Sequence, residues 1–115
     1  MPVQRGEIYL VNLNPVQGRE QAGRRPVLVL SADSINRLPL VVTVVVGTKG
    51  ETVARDYPTN VRVSVAASGL PMETVFLCFQ LRSLDPGRFV GPPAGKVSGE
   101  VLEKIEVAVR HCLGL

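Results

Sequence analysis

A small, mainly β domain with one C-terminal helix is the fold class that the sequence predicts, and three observations predict it. Apolar, β-branched runs occupy residues 26–31 (PVLVLS) and 40–46 (LVVTVVV). A longer run of β-forming residues covers 74–84 (TVFLCFQLRSL). After Ser98 the apolar residues change from strand spacing to helical spacing. Because strands and helices do not alternate, we expect an antiparallel, partly closed sheet or barrel.

The first half of the chain predicts two strands joined by a long loop. Residues 7–13 (EIYLVNL) form the first strand, and residues 14–24 form a polar loop of eleven residues. This loop is longer than most strand connections, which makes it a candidate functional segment. The run at 26–31 is apolar throughout, which indicates a strand buried on both faces. Residues 33–38 predict a short helical turn that ends at Pro39.

The second half predicts three more strands and the closing helix. Residues 40–46 form a buried strand, and residues 47–58 form a polar loop. The alternation of Val61, Val63 and Val65 predicts a half-exposed strand, which precedes the strand at 74–84. Turns or breaks are expected at residues 68–71, 85–87 and 91–95. Ser98 is the expected N-cap of the helix. Its apolar face comprises Val101, Leu102, Ile105, Ala108, Val109 and Cys112.

The composition limits both the size and the function of the domain. The chain has 115 residues, of which 45% are apolar, so residues 1–115 form one domain with a single core. Aromatic residues make up only 4%, which argues against a surface built mainly on base stacking. The net charge is +3, and ten of the 13 basic residues are arginine, whose planar guanidinium suits phosphate. A nucleic-acid partner is therefore permitted.

Residue counts exclude several kinds of chemistry. His111 is the only histidine, and it stands near the end of the helix, so no histidine-based triad or paired-histidine nuclease is possible. Cys78 and Cys112 lack metal-ligand spacing and fit two buried thiols in a reducing compartment. No carboxylate cluster or glycine-rich phosphate loop is present, so we expect neither metal nor cofactor. Without a signal peptide or membrane-spanning run, a cytoplasmic protein with no membrane partner is expected.

Arginine and hydroxyl groups remain as candidates for a site. Arg24 and Arg25 end the first long loop, while Thr48 and Lys49 begin the second, just after the strand at 40–46. If the strands at 26–31 and 40–46 pair antiparallel, Arg25 and Thr48 lie on the same edge. A guanidinium and a hydroxyl on one rim form a phosphate site. On spacing alone, a solvated loop remains the alternative.

The segments RGEIYLVNLNP, GREQAGRRPVLVLS, VVVGTKG and QLRSLDPGRF, followed by a terminal helix, resemble the MazF/PemK family of toxin endoribonucleases. The resemblance covers nearly the whole chain, and its most specific part is residues 15–31. It implies a PemK-type, SH3-like barrel of five to seven strands with a C-terminal helix. It also implies metal-independent, sequence-specific cleavage of single-stranded RNA (mRNA), and a MazE-like antitoxin that blocks the RNA groove. A homodimer is implied too, with its interface expected on the apolar strands at 40–46 and 74–81 and part of the helix.

The resemblance assigns roles by position. Arg25 matches the catalytic arginine of the family and Thr48 its catalytic threonine. Glu20 and Gln21 match a Glu-Gln pair in the first loop, and Gln80 matches a glutamine in a late strand. The residues expected to contact RNA are Arg19, Gln21, Arg24, Lys49, Gln80 and Arg82.

These residue types fit RNA cleavage, because the 2′-hydroxyl of RNA supplies the nucleophile. Arg25 would clamp the phosphate as charge develops, and Thr48 would donate a hydrogen bond to it. Glu20 is the candidate base, since arginine is a poor base at its normal pKa. The products would be a 2′,3′-cyclic phosphate and a 5′-hydroxyl.

Three residues depart from the family pattern. Arg19 stands where many members carry serine, Phe79 where an acidic residue is usual, and Gly47 where a bulkier apolar residue is common. The cleavage sequence therefore does not transfer from relatives. Arg24 should point away from Arg25 along the strand, either as a peripheral phosphate contact or as a solvated charge.

Two other classes of function compete with the endoribonuclease. One is a CcdB-like toxin that poisons a protein such as DNA gyrase, although the C-terminal HCLGL offers no anchoring tryptophan. The other is a catalytically silent barrel that binds RNA or peptide. Cleavage of single-stranded RNA in EDTA would separate the three classes.

Overall fold

One curled antiparallel sheet with a C-terminal helix forms the architecture of the protein in a computed structural model that describes residues 2–38 and 40–115. The strands are β1 (Glu7–Asn12), β2 (Arg24–Val29), β3 (Val42–Lys49), β4 (Asn60–Val63), β5 (Thr74–Leu84) and β6 (Gly95–Lys96). The α-helices are α1 (Asp33–Asn36), α2 (Val65–Ser68) and α3 (Gly99–Leu113). Single 3₁₀ turns occupy Gly50–Thr52 and Pro86–Arg88. The strand order is β4-β5-β3-β2-β1-β6, which confirms the predicted mainly antiparallel fold.

Both faces of the sheet are covered by the chain itself. On one face Leu28, Val45 and Phe76 pack against Ile105 and Val109 of α3. On the other face a second cluster includes Val11, Leu13, Val27, Val44 and Leu84, against which Val16 and Phe89 pack. The sequence predicted a single core, but alternate residues of the central strands build one cluster on each side. The central residues of β2 are fully buried, as predicted.

Helix α3 matches its prediction closely. The Ser98 hydroxyl accepts a hydrogen bond from the Val101 amide at 3.3 Å, and such an N-cap stabilises a helix by about 1 kcal/mol. Gly114 ends the helix with a φ of 71°, a conformation that glycine adopts without steric cost. The buried positions of the helix are Ile105, Ala108 and Val109, so its predicted apolar face is the face that meets the sheet.

Several predicted boundaries were wrong. Residues 47–49 belong to β3 rather than to a loop, because Thr48 and Lys49 pair with Val75 and Thr74 of β5. The strand predicted through Val65 ends at Val63, since Ser64 caps α2. The short strand β6 was missed, and β2 extends over Arg24–Val29 rather than 26–31. Helix α1 was predicted, but its expected end at Pro39 lies outside the described residues.

The predicted dimer interface stays a prediction, although most of β3 and the first half of β5 is buried within the chain. Val44, Val45 and Val46 are inaccessible to solvent, as are Val75 and Phe76. Their apolar surface is used by the two clusters on either side of the sheet. The exposed apolar residues of the predicted interface are Leu40, Val41, Phe79 and Val107, so a dimer contact would use these positions rather than the centres of the strands.

Gly47 is required by close packing, which explains one departure from the family pattern. A Cβ atom at this position would lie 2.9 Å from Thr74 Cγ2 and 3.1 Å from the Phe76 ring. Phe76 is fully buried and has no room to withdraw. We therefore expect Gly47→Val to lower the free energy of unfolding by about 1–3 kcal/mol in urea denaturation. Gly99→Ala, where a Cβ meets open space, is the matched control, and a Gly47→Val protein as stable as the wild type would contradict this packing.

Candidate phosphate site

Arg25 and Thr48 meet at the end of the two neighbouring strands that the sequence predicted. β2 and β3 are antiparallel, with Val27 opposite Val46, so continuing the register sets Arg25 beside Thr48. The Arg25 Nη1 donates a hydrogen bond to Thr48 Oγ1 at 3.2 Å. The predicted juxtaposition is therefore present, while the catalytic role of both residues stays a prediction.

The Arg25 guanidinium is held in place and still has donors available. Its Nε donates to the Ala22 carbonyl at 3.0 Å, which ties the side chain to the end of the long loop. A guanidinium carries five N–H groups. Two are used here, and the other three have no hydrogen-bond partner within residues 2–38 and 40–115. The half-buried side chain can therefore bind an anion with two parallel hydrogen bonds.

Thr48 is buried, with only 7% of its surface exposed, and its hydroxyl has a second partner. Thr48 Oγ1 lies 3.3 Å from Thr52 Oγ1 in the 3₁₀ turn that follows β3. Thr52 in turn donates to the Lys49 carbonyl at 2.7 Å. The Thr48 hydroxyl is thus held between Arg25 and Thr52.

Arg62 of β4 fixes the turn that carries Thr52. Its guanidinium donates to the carbonyls of Gly50 at 3.1 Å and Val53 at 2.7 Å, on either side of Thr52. It also forms ion pairs with Glu73 at 2.8 Å and Asp56 at 3.0 Å, and these two carboxylates raise the pKa of Arg62. Sequence reasoning missed Thr52 and Arg62, because the sequence carries no signal that they converge on Thr48.

Two of the predicted RNA contacts, Gln80 and Arg82, donate hydrogen bonds to backbone carbonyls at the long loop, and their role as RNA contacts stays a prediction. Gln80 Nε2 donates to the Arg19 carbonyl at 3.3 Å, and Arg82 Nη1 donates to the Leu13 carbonyl at 3.2 Å. Arg88, which the sequence analysis did not single out, donates to the carbonyls of Asn12 and Asn14. The loop is therefore held over the end of β5 by three side chains.

A bulge in β5 orients Gln80 and its neighbour. The register with β3 passes from Val45 opposite Leu81 to Val46 opposite Leu77, which leaves residues 78–80 without partners in β3. Such bulges bend a strand and redirect its side chains. Phe79 is 54% exposed here, while Gln80 reaches the loop.

The structure does not bring Glu20 to the Arg25–Thr48 pair. The Glu20 carboxylate accepts a hydrogen bond from the Gln17 amide within the loop. Within the described residues no hydrogen bond or ion pair joins it to Arg25 or Thr48. Arg19 and Glu20 are exposed at the loop surface, and Gln21 is half-buried. The assignment of Glu20 as the base stays a prediction.

Arg24 and Lys49 alternate with Arg25 and Thr48, and they belong to the opposite face of the sheet. Both are exposed, as the predicted orientation of Arg24 requires. They line a mostly apolar pocket of about 220 Å³, and Arg25, Thr48 and Met72 are also among its lining residues. Side-chain alternation directs the two pairs toward opposite faces, but all four residues border this one pocket at the end of the sheet.

Neither cysteine is available as a nucleophile. Cys78 is fully buried, and burial raises the pKa of its thiol to about 12. Burial also raises the pKa of Cys112. Among the described residues, no cluster of His, Cys, Asp and Glu is arranged to hold a metal ion. Nor does any helix in this part of the chain have the length and apolar character needed to cross a membrane.

The sheet with its terminal helix and the Arg25–Thr48 pair define the small β class of toxins found in toxin–antitoxin systems. A family model described as a PemK-like, MazF-like toxin of type II toxin–antitoxin systems matches residues 4–113. This chain belongs to that family. The membership does not favour the CcdB-like alternative.

Proteins similar to this chain agree with it in sequence and in fold. Endoribonuclease EndoA of Bacillus subtilis (strain 168) is 31% identical over 115 residues, which cover 100% of this chain and 97% of that protein. The crystal structure of MazF from Deinococcus radiodurans is similar with a TM-score of 0.83 and 27% identity, covering 100% and 99% of the two chains. An endoribonuclease in complex with its cognate antitoxin from Mycobacterial species has a TM-score of 0.78 and 25% identity, covering 98% and 96%.

Proposed function

We propose that this chain is a toxin endoribonuclease that cleaves single-stranded RNA at a short sequence without a metal ion. The family match and the relatives named as endoribonucleases support this activity. The observation that carries the proposal is the Arg25–Thr48 pair, in which a half-buried guanidinium keeps three donors available beside a buried hydroxyl. These donors can stabilise a phosphate whose negative charge grows during the reaction.

The proposed reaction uses the substrate's own nucleophile. The 2′-oxygen attacks the adjacent phosphorus and loses its proton, the bond from phosphorus to the 5′-oxygen breaks, and that oxygen takes up a proton. Arg25 binds the non-bridging oxygens and stabilises the phosphorane as it forms. A 2′,3′-cyclic phosphate and a 5′-hydroxyl result. Glu20 remains the candidate base, and its carboxylate keeps lone pairs available beside the one that accepts from the Gln17 amide.

The residues at the same sheet end extend the proposed site. Gln80 and Arg82 hold the long loop by its carbonyls, which favours a role in shaping the RNA groove over direct base contacts. Arg19, Gln21, Arg24 and Lys49 remain proposed RNA contacts. Arg24 and Lys49 would meet phosphates that flank the cleaved bond, because they are exposed and border the same pocket as Arg25 and Thr48.

We also propose the assembly and the partners that accompany this activity. A similar endoribonuclease has been solved with its cognate antitoxin, which supports a MazE-like antitoxin as the protein partner. An acidic, apolar tail would compete with RNA for the basic sheet end and would fold as it binds. A homodimer in the cytoplasm completes the proposal.

Cleavage in a chelator tests the proposed function directly. We expect the purified protein to cut a mixed single-stranded RNA in EDTA, and mapping of the new 5′ ends should give one short sequence. The new ends should be 5′-hydroxyls and 2′,3′-cyclic phosphates, because the bond from phosphorus to the 5′-oxygen breaks and the 2′-oxygen is the nucleophile. Intact RNA under these conditions would contradict the metal-free endoribonuclease and favour a silent binding barrel. Cleavage that appears only on adding Mg²⁺ would contradict the metal-free chemistry.

A further inference from the structure

The hydroxyl of Thr48 has a defined direction, and its neighbours set it. Thr52 has one hydroxyl proton, and its 2.7 Å hydrogen bond to the Lys49 carbonyl uses that proton. Toward Thr48, the Thr52 oxygen can therefore only accept. Since the two oxygens are 3.3 Å apart, Thr48 is the donor of that bond. Arg25 cannot accept a hydrogen bond, so Thr48 accepts from Arg25 and donates to Thr52.

We propose that Thr52 is a positioning residue that makes Thr48 a hydrogen-bond acceptor, not a donor, toward the RNA. This inference rests on the proposed function and reverses the donor role that the family resemblance suggested for Thr48. With its proton directed to Thr52, the Thr48 oxygen has one remaining lone pair. A group that contacts both side chains can therefore donate a hydrogen bond to Thr48 and accept hydrogen bonds from the remaining N–H groups of Arg25.

The hydrogen-bonding groups of the RNA match an acceptor on Thr48 and donors on Arg25. A phosphate offers only acceptors and pairs with Arg25, while the attacking 2′-hydroxyl is a donor before it reacts. Thr48 therefore binds the 2′-hydroxyl and orients its oxygen toward phosphorus. Thr48 does not act as the base that removes the 2′-hydroxyl proton, because the Thr48 hydroxyl keeps its own proton. A contact that orients a reacting group only in the productive complex raises kcat rather than lowering KM.

The turn is fixed well enough for Thr52 to serve this purpose. Arg62 donates to the carbonyls on both sides of Thr52, and the Gly50 amide donates to the Glu73 carbonyl at 2.9 Å. The Arg62–Glu73 ion pair joins the turn to the start of β5. Thr52 itself is exposed, so replacing it changes no core packing.

Three variants test the proposal by single-turnover cleavage of the RNA mapped above. Thr52→Val keeps the shape but removes the acceptor, and we expect kcat to fall about tenfold with KM changed by less than about twofold. Thr52→Ser keeps the hydroxyl and should restore kcat. Thr59→Val is the matched control, because within the described residues the one hydrogen bond of the Thr59 hydroxyl goes to its neighbour Asn60. Wild-type kcat in Thr52→Val would overturn the positioning role while leaving the proposed endoribonuclease intact.

Binding of two uncleaved oligonucleotides tests the direction of the hydrogen bond. At the nucleotide 5′ of the cleaved bond, one oligonucleotide carries a 2′-amino group, which donates, and the other a 2′-fluoro group, which cannot. We expect wild type and Thr52→Ser to prefer the amino oligonucleotide by about tenfold, and Thr52→Val to lose most of this preference. Comparing ratios among variants cancels the difference in sugar pucker. No preference in the wild type, or an unchanged preference in Thr52→Val, would overturn the proposal. A wild type that cuts no RNA would instead refute the proposed function.

Discussion

Replacing Arg25 with alanine is expected to reduce RNA cleavage by on the order of 10²-fold or more while the protein stays folded. Removing one donor that stabilises a developing oxyanion has an effect of this size. The Arg25 side chain is only half-buried, and Thr48 keeps Thr52 as a partner, so no buried hydroxyl is left without a hydrogen bond. The rate of single-turnover cleavage with saturating RNA is the measurement, with circular dichroism as the check on folding.

Two further variants distinguish the effect of the positive charge of Arg25 from the effect of its planar guanidinium geometry. Arg25→Lys should also fail, because an ammonium is a point charge without the planar fork that binds two phosphate oxygens. Arg110→Ala removes the same charge from the exposed surface of α3 and should leave the rate unchanged. Wild-type cleavage by Arg25→Ala would mean that the site lies elsewhere. Equal losses in Arg25→Ala and Arg110→Ala would point to a general effect of charge on RNA binding.

The sequence predicted the fold class and the central strands because their signals are local. The residues of β5 are apolar or β-forming up to Phe79, polar residues enter only near its end, and its predicted bounds at 74–84 are the observed ones. The capping serine and the 3.6-residue period also predicted the start of α3 and the face that it buries. In contrast, β6 has only two residues, Gly95 and Lys96, and forms because β1 offers a free edge. No local pattern encodes that pairing.

The candidate site was predictable only in part, for a similar reason. The register of two adjacent apolar strands was enough to bring Arg25 to Thr48. The extension of β3 to Lys49 was missed because its polar end resembles a loop, and pairing with β5 overrides that local preference. Thr52, Arg62 and the bulge at residues 78–80 depend on contacts between distant segments.

Glu20 illustrates the limit of transfer by resemblance. Its position in the loop matches the family pattern, but its carboxylate is bound to the Gln17 amide and Arg25 is bound to the Ala22 carbonyl. The arrangement of the loop, rather than its sequence, therefore decides whether Glu20 reaches the 2′-hydroxyl. Gln80, Arg82 and Arg88 control that arrangement through the loop carbonyls.

Removing a single 2′-hydroxyl from the RNA is expected to abolish cleavage completely. The proposed reaction has no other nucleophile, since Cys78 is buried with a raised pKa and His111 lies on α3. An RNA with one deoxyribose 5′ of the mapped bond should therefore bind but remain intact. Gel analysis of the products against an all-ribose RNA is the measurement.

The position of the substitution provides the control for this experiment. A deoxyribose placed one nucleotide further in the 3′ direction leaves the nucleophile in place, so that RNA should still be cut. Cutting of the first RNA at the mapped bond would require water as the nucleophile and would produce no cyclic phosphate, which would refute the proposed chemistry. If both RNAs resist, the loss lies in recognition of the ribose chain rather than in attack by the 2′-oxygen. Cleavage of the second RNA alone would therefore assign the nucleophile to one atom of the substrate, next to the lone pair that Thr48 offers beside Arg25.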